Sequence, residues 1–128
     1  MAKSLERILY VEDDPDIQQI TIMVLETISG FTLAACSSGA EAVSRVLDFR
    51  PDLILLDVMM PGMDGPETLR ELRKIPEFVD TPAVFMTAKV QPQEVREYLS
   101  MGALAVIAKP FDPMALANEL RAIWEKRL

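Results

Sequence analysis

Carboxylates, a hydroxyl and an amine recur at one kind of place in this sequence, immediately after a short apolar run. Glu12, Asp13 and Asp14 follow Ile8 to Val11, Asp57 follows Leu53 to Leu56, Thr87 follows Ala83 to Met86, and Lys109, then Pro110, follows Leu104 to Ala108. Carboxylates crowded together raise each other's pKa unless a cation sits among them. A donor set made only of oxygens suits a hard ion, and magnesium is the natural choice: it takes one or two carboxylates, keeps several waters and accepts a phosphoryl oxygen. Such an ion, a lysine and a hydroxyl are what a phosphoryl group in transfer requires, each neutralising or donating to one of its oxygens. Asp57 would then be a nucleophile that forms an acyl phosphate. Singly, each residue has a plainer reading. A strand-end Asp is most often a helix cap or turn former, and Asp14, followed by Pro15, is best read that way. Lys109 alone would be a surface lysine, and Thr87 alone a strand-end threonine. Their joint placement, one at each strand end, favours a site.

The elements that must hold these residues are legible in the pattern. The apolar runs named above, with Phe31 to Ala35, are short and bounded by turn residues, as strands buried on both faces are. The run containing Thr32 is the most polar and suits a sheet edge. Between the runs lie helical segments. Asp14 and Pro15 start one that Gly30 stops, with Ile17, Ile20, Val24 and Ile28 on one face. Ser38 with Glu41, and Asp64 with Glu67, have capping-box spacing. Pro92 opens a stretch with Val95 and Leu99 on one side, ended near Gly102. Asp112 and Pro113 start the last helix, with Leu116, Leu120 and Ile123 on one stripe. Strand and helix alternate five times, which predicts an open α/β, doubly wound, parallel sheet with helices on both faces. Ligands of such sheets bind outside the carboxyl ends of the strands, where the strand order reverses.

Composition narrows the function classes. The chain has 128 residues, half of them hydrophobic, which suits a single domain with one sizeable core. Its formal net charge of −7 makes phosphate-mediated nucleic-acid binding or docking on an anionic membrane a poor expectation. There is no histidine, which removes Ser-His-Asp and Cys-His catalysis and any His-ligated zinc. A single cysteine, Cys36, excludes an intrachain disulfide and is most simply a small buried residue. The longest uninterrupted apolar run, Ala103 to Ala108, falls far short of the roughly twenty residues of a membrane span, and the polar start resembles no secretory signal. The expectation is a cytoplasmic protein with no membrane partner.

Val11-Glu12-Asp13-Asp14, the stretch from Leu55 through Asp57, Pro61 and Gly62 to Gly65, Met86-Thr87-Ala88 and Ala108-Lys109-Pro110-Phe111 together resemble the receiver domain of two-component response regulators, most closely the stand-alone chemotaxis type. The resemblance covers nearly the whole chain, in order. It implies a five-stranded flavodoxin-like sheet of order 2-1-3-4-5 with five helices. It also implies that Asp57 is the phosphoacceptor, that Asp13 and Asp57 ligate Mg2+ directly with Glu12 acting through water, and that the Met59 backbone carbonyl is a further ligand. Thr87 would hydrogen-bond one phosphoryl oxygen and Lys109 would pair with another. A cis peptide is implied between Lys109 and Pro110, at modest cost for an X-Pro bond; Pro61, Gly62 and Gly65 would shape the loop after the acceptor. The donor would be a phosphohistidine on a sensor histidine kinase or a histidine phosphotransfer protein, in keeping with the absence of histidine here. Hydrolysis, influenced by Met59 and Lys89, would reset the switch, so the chain would be a signalling receiver rather than an enzyme acting on a separate substrate.

One position departs from the family. The aromatic expected three residues before the lysine is Val106, a β-branched side chain with no ring to swing. The signal would instead travel through the loop after Thr87 and the helix from Pro92. The output face would span roughly residues 92–128 toward an unknown downstream protein, with Tyr98 and Trp124 on or near it as candidate contact aromatics, although the helical phase of Trp124 equally suits packing on the body. Residues 1–128 are expected to form one receiver domain without an output domain, since the last helix ends within a few residues of Leu128. Two other functions fit less well. A phosphorylation-independent interaction module of the same fold would not need the full acid, Thr and Lys set. A magnesium-dependent phosphatase of the haloacid-dehalogenase kind needs an Asp where Met59 stands.

Overall fold

Leu53 to Leu56, Ile8 to Val11 and Ala83 to Met86 carry apolar side chains at every position, and successive strand residues point to opposite faces. Such runs are stable only where both faces are covered. In a computed structural model describing residues 3–127 they lie fully buried, in a sheet sandwiched between helices. The strands are β1 (Arg7–Val11), β2 (Thr32–Cys36), β3 (Leu53–Asp57), β4 (Ala83–Thr87) and β5 (Ala105–Ala108). All pair in parallel, in the order β2-β1-β3-β4-β5, the expected topology with the Thr32 strand at one edge. The helices are α1 (Pro15–Ile22), α2 (Gly39–Phe49), α3 (Gly65–Arg73), α4 (Pro92–Ser100) and α5 (Pro113–Glu125). Helix α5 and the stretch that continues α1, through Val24 and Leu25, cover Ile8, Tyr10, Leu55, Val84 and Met86 on one face. Helices α2, α3 and α4 cover Leu9, Val11, Ile54, Leu56 and Phe85 on the other.

Local chemistry starts the helices where the sequence predicts. The Asp14 carboxylate accepts from the N–H groups of Asp16 and Ile17 (2.9 and 3.3 Å), Asp64 from Glu67 (2.9 Å), Asp112 from Met114 (3.0 Å), and the Ser38 hydroxyl from Glu41 (3.1 Å). Each satisfies an N–H that the first helical turn leaves unpaired. The Glu41 carboxylate returns to the N–H of Ser37 (2.8 Å), one residue before the cap.

Two helical faces differ from the predicted ones. After α1 the chain continues as a π-helical stretch, Met23–Ile28, in which the Ser29 N–H bonds to the Val24 carbonyl (3.1 Å). The wider turn shifts the phase. Thr21, Val24 and Leu25 face the core, while Ile20 and Ile28 are exposed. In α4 the inward positions are Val95 and Tyr98; Leu99 is exposed.

Asp52 ties the start of the chain to the sheet. Its carboxylate accepts from Lys3 Nζ (2.6 Å) and from the backbone N–H groups of Glu6 and Arg7 (3.1 and 2.9 Å). Burial opposes its ionisation, but these donors outweigh burial and hold the carboxyl below its ordinary value. A carboxyl whose pKa falls on folding stabilises the fold above its unfolded pKa and loses that contribution as pH falls through the folded value. Asp52→Asn is therefore expected to lower the urea midpoint at pH 6, with the gap from wild type closing as pH drops below about 4. A gap that stays constant down to about pH 2 would contradict the role given to the charge.

Candidate functional site

Strand register brings the polar residues together. Val11 pairs with Leu56, Asp57 with Met86, and Thr87 with Ala108, so the carboxyl ends of β1, β3, β4 and β5 finish level. Glu12, Asp57, Thr87 and Lys109 therefore leave the sheet along one edge. Lys109 Nζ lies 2.9 Å from Glu12 Oε1 and 3.3 Å from Asp57 Oδ1. Glu12, Asp57 and Thr87 are buried and Asp13 is exposed. The Thr87 hydroxyl oxygen accepts from the N–H of Lys89 at 3.0 Å. The peptide between Lys109 and Pro110 is cis.

The electrostatics are those of a crowded acid cluster with one counter-charge. Burial, helped by the neighbouring Asp57 carboxylate and offset in part by Lys109, pushes the Glu12 carboxyl well above the ordinary carboxylate range. For Lys109, burial works against the charge, yet the hydrogen bond it donates to Glu12 and the field of Asp57 outweigh it and raise the ammonium's pKa. One carboxylate oxygen from each of Glu12, Asp13 and Asp57 lies within 4.8 Å of the others. Three carboxylates against one ammonium leave the cluster short of positive charge, and an oxygen-only donor set at this spacing fits a hard divalent cation such as magnesium.

Asp57, Thr87 and Lys109 form the polar floor of a cavity of about 510 Å³. Its walls are apolar: Ile17 and Ile20 from α1, Met59 from the loop after β3, and Phe111 after the cis peptide. Ile20, placed on the core stripe by the sequence pattern, belongs to this rim. Met59 is 63% exposed, whereas Met60 is buried.

Two residues hold the backbone around the site: Gly65, already expected to shape the loop after Asp57, and Gln18, which only the three-dimensional structure reveals. A Cβ on Gly65 would lie 2.5 Å from the Asp57 carbonyl oxygen, so α3 starts against the Asp57 backbone, and the Gly65 N–H bonds to the Val58 carbonyl at 2.9 Å. Gln18 Nε2 donates to the carbonyls of Glu12 (3.0 Å) and Cys36 (3.1 Å), and the Glu12 N–H also bonds to the Cys36 carbonyl (3.0 Å). That amide clamps α1 to the ends of β1 and β2 and fixes the loop carrying Glu12 and Asp13. The four-residue spacing from Asp14 to Gln18 was the only signal in the sequence, and it does not reveal a link to β2.

The residues expected on the output side are mostly inward. Tyr98 is buried, its ring edge-on to Phe85 with centroids 5.5 Å apart, and Val106 is half-buried beside the same cluster. Trp124 is buried as well; its Nε1 donates to the Lys3 carbonyl at 2.7 Å and Arg127 stacks on its ring. Tyr98, expected as a contact aromatic, is thus buried instead, and Trp124 takes the packing on the body that its helical phase equally allowed. Cys36 is buried at the end of β2, and burial pushes its thiol up to about 11.

The comparisons agree with this geometry. The family model of the response regulator receiver domain matches residues 8–121. The chain is 39% identical over 117 residues to the DNA-binding response regulator MtrA of Mycolicibacterium smegmatis, covering 91% of this chain and 50% of that protein. It is 34% identical over 113 residues to the probable C4-dicarboxylate response regulator DctR of Halalkalibacterium halodurans, covering 87% and 48%. The chain thus spans about half the length of these relatives. Among solved structures it superposes on the chemotaxis protein CheY4 of Vibrio cholerae with a TM-score of 0.86 at 28% identity, covering 94% of this chain and 99% of that one. The signal receiver domain of a signal transduction histidine kinase from Syntrophus aciditrophicus gives 0.80 at 34% identity, covering 96% and 94%.

The Gln18 clamp yields an expected outcome. Gln18→Met keeps the length of the side chain and removes its donors. Losing about 1 kcal/mol of net hydrogen bonding should speed amide exchange of residues 12–14 roughly fivefold in metal-free protein, with α5 unchanged. Unaltered exchange in that loop would show that Gln18 does not hold it.

Proposed function

This chain belongs to the response regulator receiver domain family, and from that premise we propose that Asp57 is its phosphoacceptor, with Lys109, Thr87 and the acid pair assembled around it for that single transfer. As a receiver it is the phosphoacceptor partner in two-component signalling, not an enzyme acting on a separate substrate. The observation that carries the assignment to Asp57 is the Lys109 ammonium held between Glu12 and Asp57 on the floor of a cavity that Thr87 shares.

In the transfer, an Asp57 carboxylate oxygen attacks the phosphorus of a phosphohistidine on the donor. A P–O bond forms, the P–N bond breaks, and its electron pair returns to the imidazole of the donor. Lys109 pairs with one phosphoryl oxygen and the Thr87 hydroxyl donates to another, so charge is met by groups already in place. Glu12, Asp13, Asp57 and the Met59 carbonyl are the residues that would hold Mg2+. The chemistry such a cation supplies is neutralisation of the acid cluster and of the phosphoryl oxygens. Attack of water on the acyl phosphate releases inorganic phosphate and restores the Asp57 carboxylate. Met59, at the rim of the cavity, and Lys89, two residues after Thr87, are the side chains that influence the rate of that step.

The donor is a sensor histidine kinase or a histidine phosphotransfer protein in the cytoplasm. The apolar walls at Ile17, Ile20 and Phe111 give its histidine-bearing element a surface to rest on beside Asp57. The downstream target binds the region of residues 92–128. The DNA binding in the name of MtrA is a property of that protein, of which this chain matches half.

Intact mass after incubation with a small acyl-phosphate donor tests the assignment. The expected result is one phosphoryl group gained with magnesium, none without it, and none in Asp57→Asn. A gain that persists in Asp57→Asn would move the acceptor elsewhere and overturn the reading.

A further inference from the structure

The loop that follows Asp57 is held to the body at three points. Met60 turns into the core, while Met59 before it is exposed at the rim of the cavity. The Gly65 N–H bonds to the Val58 carbonyl at 2.9 Å and closes the base of the loop. The third point lies against another helix. Met63 from the loop and Thr68 from α3 both press on Gly39, the first residue of α2. A Cβ built on Gly39 would collide with the Thr68 hydroxyl oxygen, and would come within 3.0 Å of Met63 Sδ and 3.2 Å of Met63 Cβ.

Gly39 does not have the positive φ of Gly30, Gly62 and Gly102, so lack of room alone calls for glycine there. Its larger neighbour cannot easily step aside. Thr68 is fully buried and β-branched, which leaves its side chain few rotamers. Its hydroxyl donates to the Asp64 carbonyl at 2.7 Å, and its N–H bonds to the same oxygen at 2.9 Å. Gly65 follows Asp64 and starts α3 against the backbone of Asp57 and Val58. Thr68 and Gly65 thus stand on one hydrogen-bonded turn. A displacement of Thr68 carries Gly65 with it, and Gly65 bears on the peptide that sets the Asp57 side chain. A displacement of Met63 moves the short loop that contains the Met59 carbonyl.

From this we propose that Gly39 is a positioning residue for the cation site: by leaving room for Thr68 and Met63, it keeps the Asp57 backbone and the Met59 carbonyl in place beside the acids that follow β1. Gly39 touches no ligand and acts only through α3 and the loop after Asp57. The start of α2, which carries none of the ligand groups, thereby controls one half of the site, while Gln18 holds the half that bears Glu12 and Asp13. The proposal rests on the reading of Glu12, Asp13, Asp57 and the Met59 carbonyl as the residues that hold Mg2+.

Magnesium titration of the full chain, followed by amide NMR without denaturant, gives Kd for each variant beside the urea midpoint of its metal-free form. Gly39→Ala is expected to weaken binding about tenfold, the lower end of what disturbing the groups behind a metal ligand costs. Amide exchange of residues 58–64 should also quicken in the metal-free variant. Adding Thr68→Ala to Gly39→Ala removes the colliding oxygen and leaves only Met63, a flexible thioether that can yield. Most of the lost affinity should then return, and Thr68→Ala alone should bind as wild type does. Leu120→Val, in the core on the other face of the sheet, should lower the urea midpoint with Kd unchanged, which separates positioning from loss of stability. Met63→Ala adds no bulk and releases the same contact from the loop side, so it decides the matter should Gly39→Ala fail to fold; it too should weaken binding. Wild-type affinity in a folded Gly39→Ala, or in Met63→Ala where that variant decides, overturns the proposal and leaves the cation reading intact. So does a double variant that binds no better than Gly39→Ala. No magnesium binding by wild type overturns the cation reading and this proposal with it.

Discussion

One ammonium, that of Lys109, stands between two buried carboxylates, Glu12 at 2.9 Å and Asp57 at 3.3 Å, with Asp13 close by. Carboxylates gathered this closely at a partly desolvated sheet edge repel one another, and each is costly to bury unless countered. A single lysine compensates only part of that charge. The remainder is a deficit of positive charge of the kind a divalent cation can satisfy. The cluster is thus tense as it stands, and its composition says what relieves it.

Everything else in the fold serves to hold that cluster in place. Parallel pairing finishes the strands level, which sets Glu12, Asp57, Thr87 and Lys109 along one line. Gly65 allows α3 to begin against the Asp57 backbone, and Gln18 binds the acid loop to the ends of β1 and β2. On the far side of Thr87 the loop 88–91 is exposed, and α4 turns Val95 and Tyr98 inward.

Much of this was legible before any coordinates, for a physical reason. Strands buried on both faces write themselves as unbroken apolar runs, and helices announce their starts with Asp14-Pro15, Ser38, Asp64 and Asp112-Pro113. Once runs and caps are located, the residue after each run lies at the carboxyl edge of the sheet, so the placement of Asp57, Thr87 and Lys109 follows from local signals. What stayed hidden depends on contacts distant in sequence. The π-helical stretch after α1 turned Ile28 outward against the simple 3.6-residue phase, and within α1 the inward position is Thr21 rather than Ile20. Tyr98 rather than Leu99 faces inward, its ring edge-on to Phe85 of another element. The Gln18 clamp involves the end of β2, eighteen residues on, which no periodicity encodes.

The most direct measurement is the urea midpoint of the chain as magnesium is raised at constant ionic strength. A ligand that binds only the folded protein stabilises it by RT ln(1 + [L]/Kd), about 2.7 kcal/mol at a hundredfold excess over Kd. If the three carboxylates form one cation site, the wild-type midpoint rises steadily with magnesium and most of the rise disappears in Asp13→Asn. A midpoint indifferent to magnesium, or an equal rise in Asp13→Asn, would contradict a shared cation site at the heart of the structure.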